Sequence, residues 1–558
     1  VLALDGVGYQ EVRRAQTATL PCLENLLPAV RNVSTFPSLS DIAWQDITRS
    51  GPTEGYQRYH YSVGYNKIIG GGATAELGNT QDYERRMHVI LLKPADHRQG
   101  YFEPLKLAEK ELAEIKRQFL SEQSSPTIYA YMLSTDTLQH TAGDIQPLLC
   151  RISETLDQIT REYEALTGRT PELAIVSDHG NNQHRKGQLI EVRKNLHKAG
   201  FKTPGKIRGP KDVVFTTAGI LNSMSVFALP ESLRKITQPI LETEGVDLLT
   251  FVTPEDPSVI ELISASGDRA LIRKKPGAEA FSFVPLAGDP LGYGKTLETF
   301  RQEGLMDAEG FVAADSWLKH TSALEYPVAP ERIWRGHHVI TLNPAPMLVS
   351  LKHGFEITYG ILKAMSSFVP RGGTHGALSA ASSNGVFASN FVPDATDTTT
   401  NRVGQWLGFK DMRDWKRESE GARLIAAFGD ESRARNTIDT LLENDPVALN
   451  LWDPDRTHDT LLGVETRYEI RIREKGCWIG CKKIDSNFAA AELIGNPQDI
   501  EFRIPFRKLT GGKPLEPGTY KLEVTRIAMD QVTGLETHSR VFFKATFGVD
   551  LDGAVILW

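Results

Sequence analysis

The sequence predicts an α/β protein whose first part is a mostly parallel sheet with helices on both faces. Three observations predict it. VLAL (1–4), TIYAYMLST (127–135) and ELAIVS (172–177) are short apolar runs that read as strands buried on both sides. The segments between them carry apolar residues at the helical period of 3.6. Strand and helix alternate along the chain, the order that folds into a parallel sheet covered by helices.

The elements follow in order. Leu105, Ala108, Leu112, Ile115 and Phe119 share one helical face. Ile145, Leu148, Leu149, Ile152, Leu156, Ile159, Tyr163 and Leu166 share another. Past Gly200, short strand-like runs such as SMSVFALP, GVDLLTFVTP and VIELISASG are broken by turn residues, with a helix around 231–243 among them. This change of texture predicts an α+β, cap-like insertion over 195–322, dividing a core of 1–194 and 323–444. Alternating runs after Pro446 predict a β-sandwich-like domain over 445–558. The glycine-rich stretch at 70–79 reads as a mobile loop.

The chain has 558 residues, 40% hydrophobic and 24% charged, with a net charge of −7. That balance disfavours a general binder of nucleic acid or anionic membrane. No apolar run has membrane-spanning length. VLALDG opens in what reads as mid-strand without an initiator Met, so a preceding segment is expected. Four cysteines are too few for a disulfide scaffold. Cys22 and Cys150 read as buried thiols, and Cys477 and Cys481 are close enough to bridge.

Chemistry concentrates where apolar strands run out. Asp5 follows VLAL, Asp136 follows TIYAYMLST and Asp178 follows ELAIVS. In open α/β sheets ligands bind beyond the carboxyl ends of the strands, so three acids would share one rim. His140 stands four residues after Asp136, His179 adjoins Asp178, and His375 lies between glycines in GGTHGALS. Carboxylate plus imidazole is a zinc ligand set that also suits manganese or iron. Taken singly, each motif is more often a turn or a cap; the set in one order is not. In FPSLSDIAWQDITRSG, Ser38 and Ser40 precede an amphipathic helix. Either could cap it, and a hydroxyl at a helix start is also placed to attack a phosphate held there. No G-x-S-x-G elbow is present.

This order of residues resembles the alkaline phosphatase superfamily, and within it the type I phosphodiesterase/nucleotide pyrophosphatase branch. The resemblance covers about 1–190 and 325–400. It implies two divalent metal ions, zinc first and manganese as the alternative. One would be held by Asp5, Ser40, Asp178 and His179, the other by Asp136, His140 and His375. Ser40, in the register of "FPSL-nucleophile", would attack phosphorus and form a seryl–phosphoryl intermediate. The branch usually has Thr at that position. Its phosphate-contacting Asn has Asn66 as the nearest candidate, and Asp41 takes the place of an aromatic or small residue beside the pocket. A pocket-facing Asp41 would disfavour a dianionic monoester more than a monoanionic diester. His184, His337 and His338 read as pocket or surface residues. The resemblance also implies a small phosphoester substrate and a periplasmic or secreted setting. A monoesterase or phosphomutase of the same superfamily is the nearest rival, since LALDGVG resembles the mutases' opening strand. A binding protein that kept the fold is the non-enzyme alternative. The C-terminal domain is a candidate module for a further partner.

Overall fold

In the computed structural model, residues 1–410 are described except 65, 71–80, 92–93, 122–126, 142, 185–186, 217–218 and 359–371; beyond 410, only the strands named below are described. The glycine-rich stretch and the Cys477/Cys481 pair therefore lie outside the described residues. The chain divides into two units, Val1–Met412 and Arg413–Trp558.

The first sheet orders its strands Thr398–Thr399, Val30–Val33, Asn384–Ser389, Ala174–Val176, Leu2–Leu4, Ala130–Met132. Leu2–Leu4 pairs in parallel with both Ala130–Met132 and Ala174–Val176, and Val30–Val33 in parallel with Thr398–Thr399. Only Asn384–Ser389 runs antiparallel, against both its neighbours. Strand alternation explains why both faces are covered. Leu2, Leu4, Met132 and Ile175 pack on one side with Val12, Leu148, Leu149 and Ile152, from helices Tyr9–Thr17 and Gln146–Thr167. Ala3, Tyr131, Val176 and Phe387 pack on the other with Trp44, Ile47 and Val403, from helices Ser40–Ile47 and Thr400–Trp406. Fully burying one such large side chain is worth roughly 1.5–3 kcal/mol.

The second sheet has eight strands, ordered Phe311–Ala313, Ala280–Ala287, Arg269–Lys274, Val259–Ser264, Val246–Val252, Met347–Leu351, Ser223–Phe227, Val214–Thr216, and every pairing is antiparallel. Met347–Leu351 lies inside this sheet rather than in the first, although its texture reads as a return to the core. Met347, Leu348, Val349 and Leu351 are apolar without period-two alternation because helices cover both faces of this sheet as well. The chain rejoins the first sheet only at Asn384–Ser389. Phe36, Leu39 and Ile42 pack into the second sheet's core while Trp44 and Ile47 pack on the first. The helix that begins at Ser40 is thus gripped from both sides.

Cys22 and Cys150 form a disulfide, not the two buried thiols expected. Cys150 lies on the helix Gln146–Thr167 that packs beneath the first sheet, close to the turn that follows Tyr9–Thr17. Spacing along the chain cannot show a pairing across 128 residues.

The second unit is antiparallel β. Thr437–Asp439, Ala448–Trp452 and Glu501–Pro505 form one sheet; Lys483–Ala489, Val464–Glu474, Gly518–Asp530, Glu536–Val549 and Val555–Leu557 form another. Thr437–Asp439 pairs with Ala448–Trp452, so this unit takes in residues before 445.

Candidate metal centre

Three neighbouring parallel strands deliver three carboxylates to one edge. Asp5 directly follows Leu2–Leu4, and Asp178 stands two residues past Ala174–Val176. Asp136 lies not at a strand end but in the helix Ser134–His140, because the chain turns helical soon after Met132. That helix sets His140 one turn beyond Asp136, with Nε2 3.1 Å from Asp136 Oδ2. His179 Nε2 lies 3.2 Å from Asp178 Oδ2 and 3.7 Å from Asp5 Oδ1. The rings of His179 and His375 stack with centroids 3.9 Å apart, and those of His140 and His375 are 5.2 Å apart. Ser40 is the first residue of its helix, and its Oγ is 3.1 Å from both Asp5 Oδ1 and His179 Nε2. All seven residues of the expected set therefore meet.

The grouping differs from the expected division in one respect. Asp5, Asp178 and His179 form one cluster of ligand atoms, and Asp136, His179 and His375 form the other. His179 faces both because its ring lies flat against that of His375. His140 joins the second cluster through Asp136.

The donor chemistry fits cations. Each histidine directs Nδ1 at a backbone carbonyl: His140 at Gly373 (2.8 Å), His179 at Gly180 (2.9 Å) and His375 at Ser38 (2.9 Å). A carbonyl can only accept, so Nδ1 carries the hydrogen and Nε2 a lone pair. The Nε2 atoms of all three rings face three buried carboxylates, and Asp178 Oδ2 has no hydrogen-bond donor among the described residues. Burial, together with Asp178 and Asp136 nearby, raises the Asp5 carboxyl well above its usual range. Burial pushes Asp178 up to about 8, against the pull of the Gly6 N–H. Asp136 goes the other way: burial opposes its ionisation, but His140, His375 and His179 outweigh it. Burial lowers His179 to about 4 and His375 to about 3, so both rings are neutral at pH 7; for His140 burial is outweighed by Asp136, which raises it.

Several supporting residues were not singled out in the sequence. Gly6 donates its N–H to Asp178 Oδ1 at 3.1 Å. Its φ is +68°, and a Cβ there would lie 2.5 Å from Asp136 Oδ1, so only glycine fits. The Tyr131 hydroxyl donates to Asp5 Oδ2, and Thr135 Oγ1 donates to the Asp5 carbonyl at 2.7 Å. Asn181 Nδ2 reaches Asp136 Oδ1 at 3.3 Å. The strand period offered a signal for Tyr131, which lies on the sheet face that packs against Trp44, and DHGNN one for Asn181.

Other expectations change. Neither Ser38 nor Ser40 caps the helix; Leu39 is the N-cap residue and offers no side-chain acceptor. Ser38 is buried, and its Oγ lies 3.0 Å from the Ala377 carbonyl. Asn66 is occupied as a structural bridge. It accepts from the Ile207 N–H (2.8 Å) and the Tyr61 hydroxyl (2.5 Å), and donates to the Ile207 carbonyl (2.7 Å). Asp41 is compensated: its Oδ2 accepts the Arg58 N–H at 3.1 Å and its Oδ1 lies 3.9 Å from Arg58 Nε. His337 is buried in the second sheet's core, donating to Ala345 and facing Thr250, and burial lowers it to about 3. His338 stacks on Trp334, and His184 lies 3.8 Å from Glu356.

Glu111 braces the helix that carries Asp136 and His140. It accepts the N–H groups of Leu133 and Ser134 and the Ser134 hydroxyl. Burial raises its pKa from 4.5 to about 7 despite those bonds. The folded chain therefore holds a proton on Glu111 that the unfolded chain has released. Its stabilising share is complete below pH 4.5 and is lost as pH rises through 7. The loss is about 3 kcal/mol. Relative to Glu111→Gln, the wild-type melting temperature should fall between pH 5 and pH 8; a constant difference between the two would contradict this.

No family model matches the sequence, and no curated protein matches it. Solved structures do. The chain is similar to human ectonucleotide pyrophosphatase/phosphodiesterase 5, at 12% identity over 73% of this chain and 93% of that one, with a TM-score of 0.37. It is similar to phosphonoacetate hydrolase from Sinorhizobium meliloti 1021 in complex with phosphonoformate, at 12% identity over 73% and 94%, with a TM-score of 0.41. The same hydrolase in complex with phosphonoacetate gives 12% identity and a TM-score of 0.40.

Proposed function

We propose that the chain is a two-metal phosphoester hydrolase of the phosphodiesterase or nucleotide pyrophosphatase type, with Ser40 as nucleophile and a small phosphoester as substrate. One observation carries the reading. Three imidazoles with their Nδ1–H groups tied to carbonyls converge on three buried carboxylates, and the Ser40 hydroxyl stands among them. Asp5, Asp178, His179 and Ser40 would hold one divalent ion, and Asp136, His140 and His375 the other, with His179 within reach of both. Such ions lower the pKa of a bound hydroxyl and offset charge on the phosphoryl oxygens. Zinc suits the nitrogen and oxygen donors, with manganese the alternative.

Ser40 supplies the oxygen that bonds to phosphorus. Its Oγ stands 3.1 Å from both Asp5 Oδ1 and His179 Nε2, the residues that would share an ion with it, and an ion held there would lower the pKa of the hydroxyl so that no separate histidine base is needed. Because the N-cap Leu39 provides no side-chain bond, the first N–H groups of the Ser40–Ile47 helix are suited to a phosphate oxygen. The Cys22–Cys150 disulfide supports a periplasmic or secreted setting, since disulfides persist in oxidising compartments.

A monoesterase is the second reading, favoured by one observation. Arg58, which also pairs with Glu84, offsets part of the Asp41 charge, so Asp41 argues less strongly against a dianion. Diester preference then rests on the motif resemblance. Bis(p-nitrophenyl) phosphate should be hydrolysed with a kcat/KM at least about tenfold above that of p-nitrophenyl phosphate, a difference of about 1.4 kcal/mol in transition-state binding. A preference for the monoester would promote the second reading.

A further inference from the structure

Arg332, on the helix Ala329–His338, is fully buried. Six bonds to uncharged acceptors hold its guanidinium. Nε donates to Ser34 O (2.7 Å); Nη1 donates to Pro327 O (2.9 Å) and Leu378 O (3.0 Å); Nη2 donates to Thr35 O (2.9 Å), Ser38 Oγ (3.2 Å) and Ser383 Oγ (2.5 Å). Burying a cation against neutral acceptors is expensive. A methionine of similar length would fill the space but leave these buried acceptors without a donor, so the arginine is there to bond them and not for packing alone.

The acceptors fall mainly in two segments. Residues 34–38 lead into Ser40, and residues 378–383 follow His375. Ser38 joins the two. Its N–H donates to Gly376 O at 3.1 Å, its Oγ is 3.0 Å from Ala377 O, and its carbonyl accepts His375 Nδ1–H at 2.9 Å. The helix bearing Arg332 lies close against the same loop, for a Cβ on Gly336 would meet the Phe36 carbonyl at 2.3 Å.

We propose that Arg332 is a positioning residue that locks the nucleophile loop to the His375 loop, so that one guanidinium fixes both the register of Ser40 and the direction of His375 Nε2. The inference rests on the two-metal reading above. Without the clamp, Ser38 can shift, and its carbonyl no longer selects the Nδ1–H form of His375. The ion held by Asp136, His140 and His375 should suffer first. A lysine cannot replace the clamp, because one ammonium lacks the planar fork that spans both segments.

The test compares wild type, Arg332→Met and Arg332→Lys by zinc content per chain, zinc affinity against a competing chelator, and kcat and KM on a p-nitrophenyl ester. In both variants zinc affinity at one of two sites should fall about 10–100-fold, with kcat falling and KM little changed. Folded variants with two ions at wild-type affinity and wild-type kcat would overturn the inference. So would a lowered melting temperature with ion binding intact, which marks Arg332 as structural only. If neither variant folds, Ser383→Ala and Ser38→Ala each remove one acceptor. They should lower the same affinity by a smaller factor, about 3–10-fold for a single lost hydrogen bond, and an unchanged affinity in both overturns the inference. Wild-type protein that binds no zinc overturns the functional reading itself, and this inference with it, whereas wild type with two ions and indifferent variants overturns only the inference.

Discussion

Ser40→Ala should lower turnover by about 10⁴-fold or more, the scale seen when a covalent nucleophile is removed. The size of the effect follows from position. Ser40 Oγ is the hydroxyl between Asp5 and His179, with both within 3.1 Å. The substitution removes the atom that would bond to phosphorus while leaving Asp5, Asp178 and His179 in place. Metal content should therefore change little, which separates loss of the nucleophile from loss of the centre. Wild-type turnover in Ser40→Ala at equal metal content would remove Ser40 from the mechanism. Ser38 offers no such oxygen to the site, because its own is turned toward Ala377 and Arg332.

Stripping the ions should abolish activity and lower the melting temperature, with both restored by added zinc or manganese. Asp5, Asp136 and Asp178 are buried together, and without cations Asp5 and Asp178 relieve the repulsion and desolvation by taking up protons, while the neighbouring histidines keep Asp136 ionised. A ligand at 100 times its Kd stabilises the folded chain by about 2.7 kcal/mol, so the thermal shift should be readily measured. Single substitutions should separate the two positions. His375→Ala should reduce the content to about one ion per chain. His179→Ala should weaken both ions, because His179 alone belongs to both ligand clusters. Full activity after exhaustive chelation would refute the metal reading, and a His179→Ala variant that loses only one ion would return His179 to a single site.

The cluster of acids and histidines was legible in the chain because its parts are local and punctuated. An acid after a short apolar run, a histidine one helical turn later and a DH pair are patterns a few residues long. Their support is not local. Tyr131 reaches Asp5, Gly6 reaches Asp178 and Arg332 reaches Ser38 across gaps of 126, 172 and 294 residues. No spacing reports such contacts. Leu2–Leu4, Ala130–Met132 and Ala174–Val176 are legible for the same reason as the acids, whereas Val30–Val33, Asn384–Ser389 and Thr398–Thr399 carry no comparable signal, and Met347–Leu351 falls in the range 323–444 expected to be core. A strand buried on both faces looks alike in either sheet, and only its partners, Ser223–Phe227 and Val246–Val252, decide the matter. Asn66 shows the converse error. An asparagine near the expected loop suits a phosphate equally well on paper, yet its amide is spent on the backbone of Ile207.

The link between Cys22 and Cys150 has a consequence for a chain that is cut. Ser40 lies on the Cys22 side of any break between residues 41 and 135, and Asp136 on the Cys150 side. A protease acting in that interval would separate Ser40 from Asp136 in sequence but not in substance, since the two pieces remain one covalent molecule. Such nicked protein would run at full mass on a denaturing gel until a reductant is added, then as two fragments. Intact mass under oxidising conditions would therefore say nothing about whether the backbone is whole.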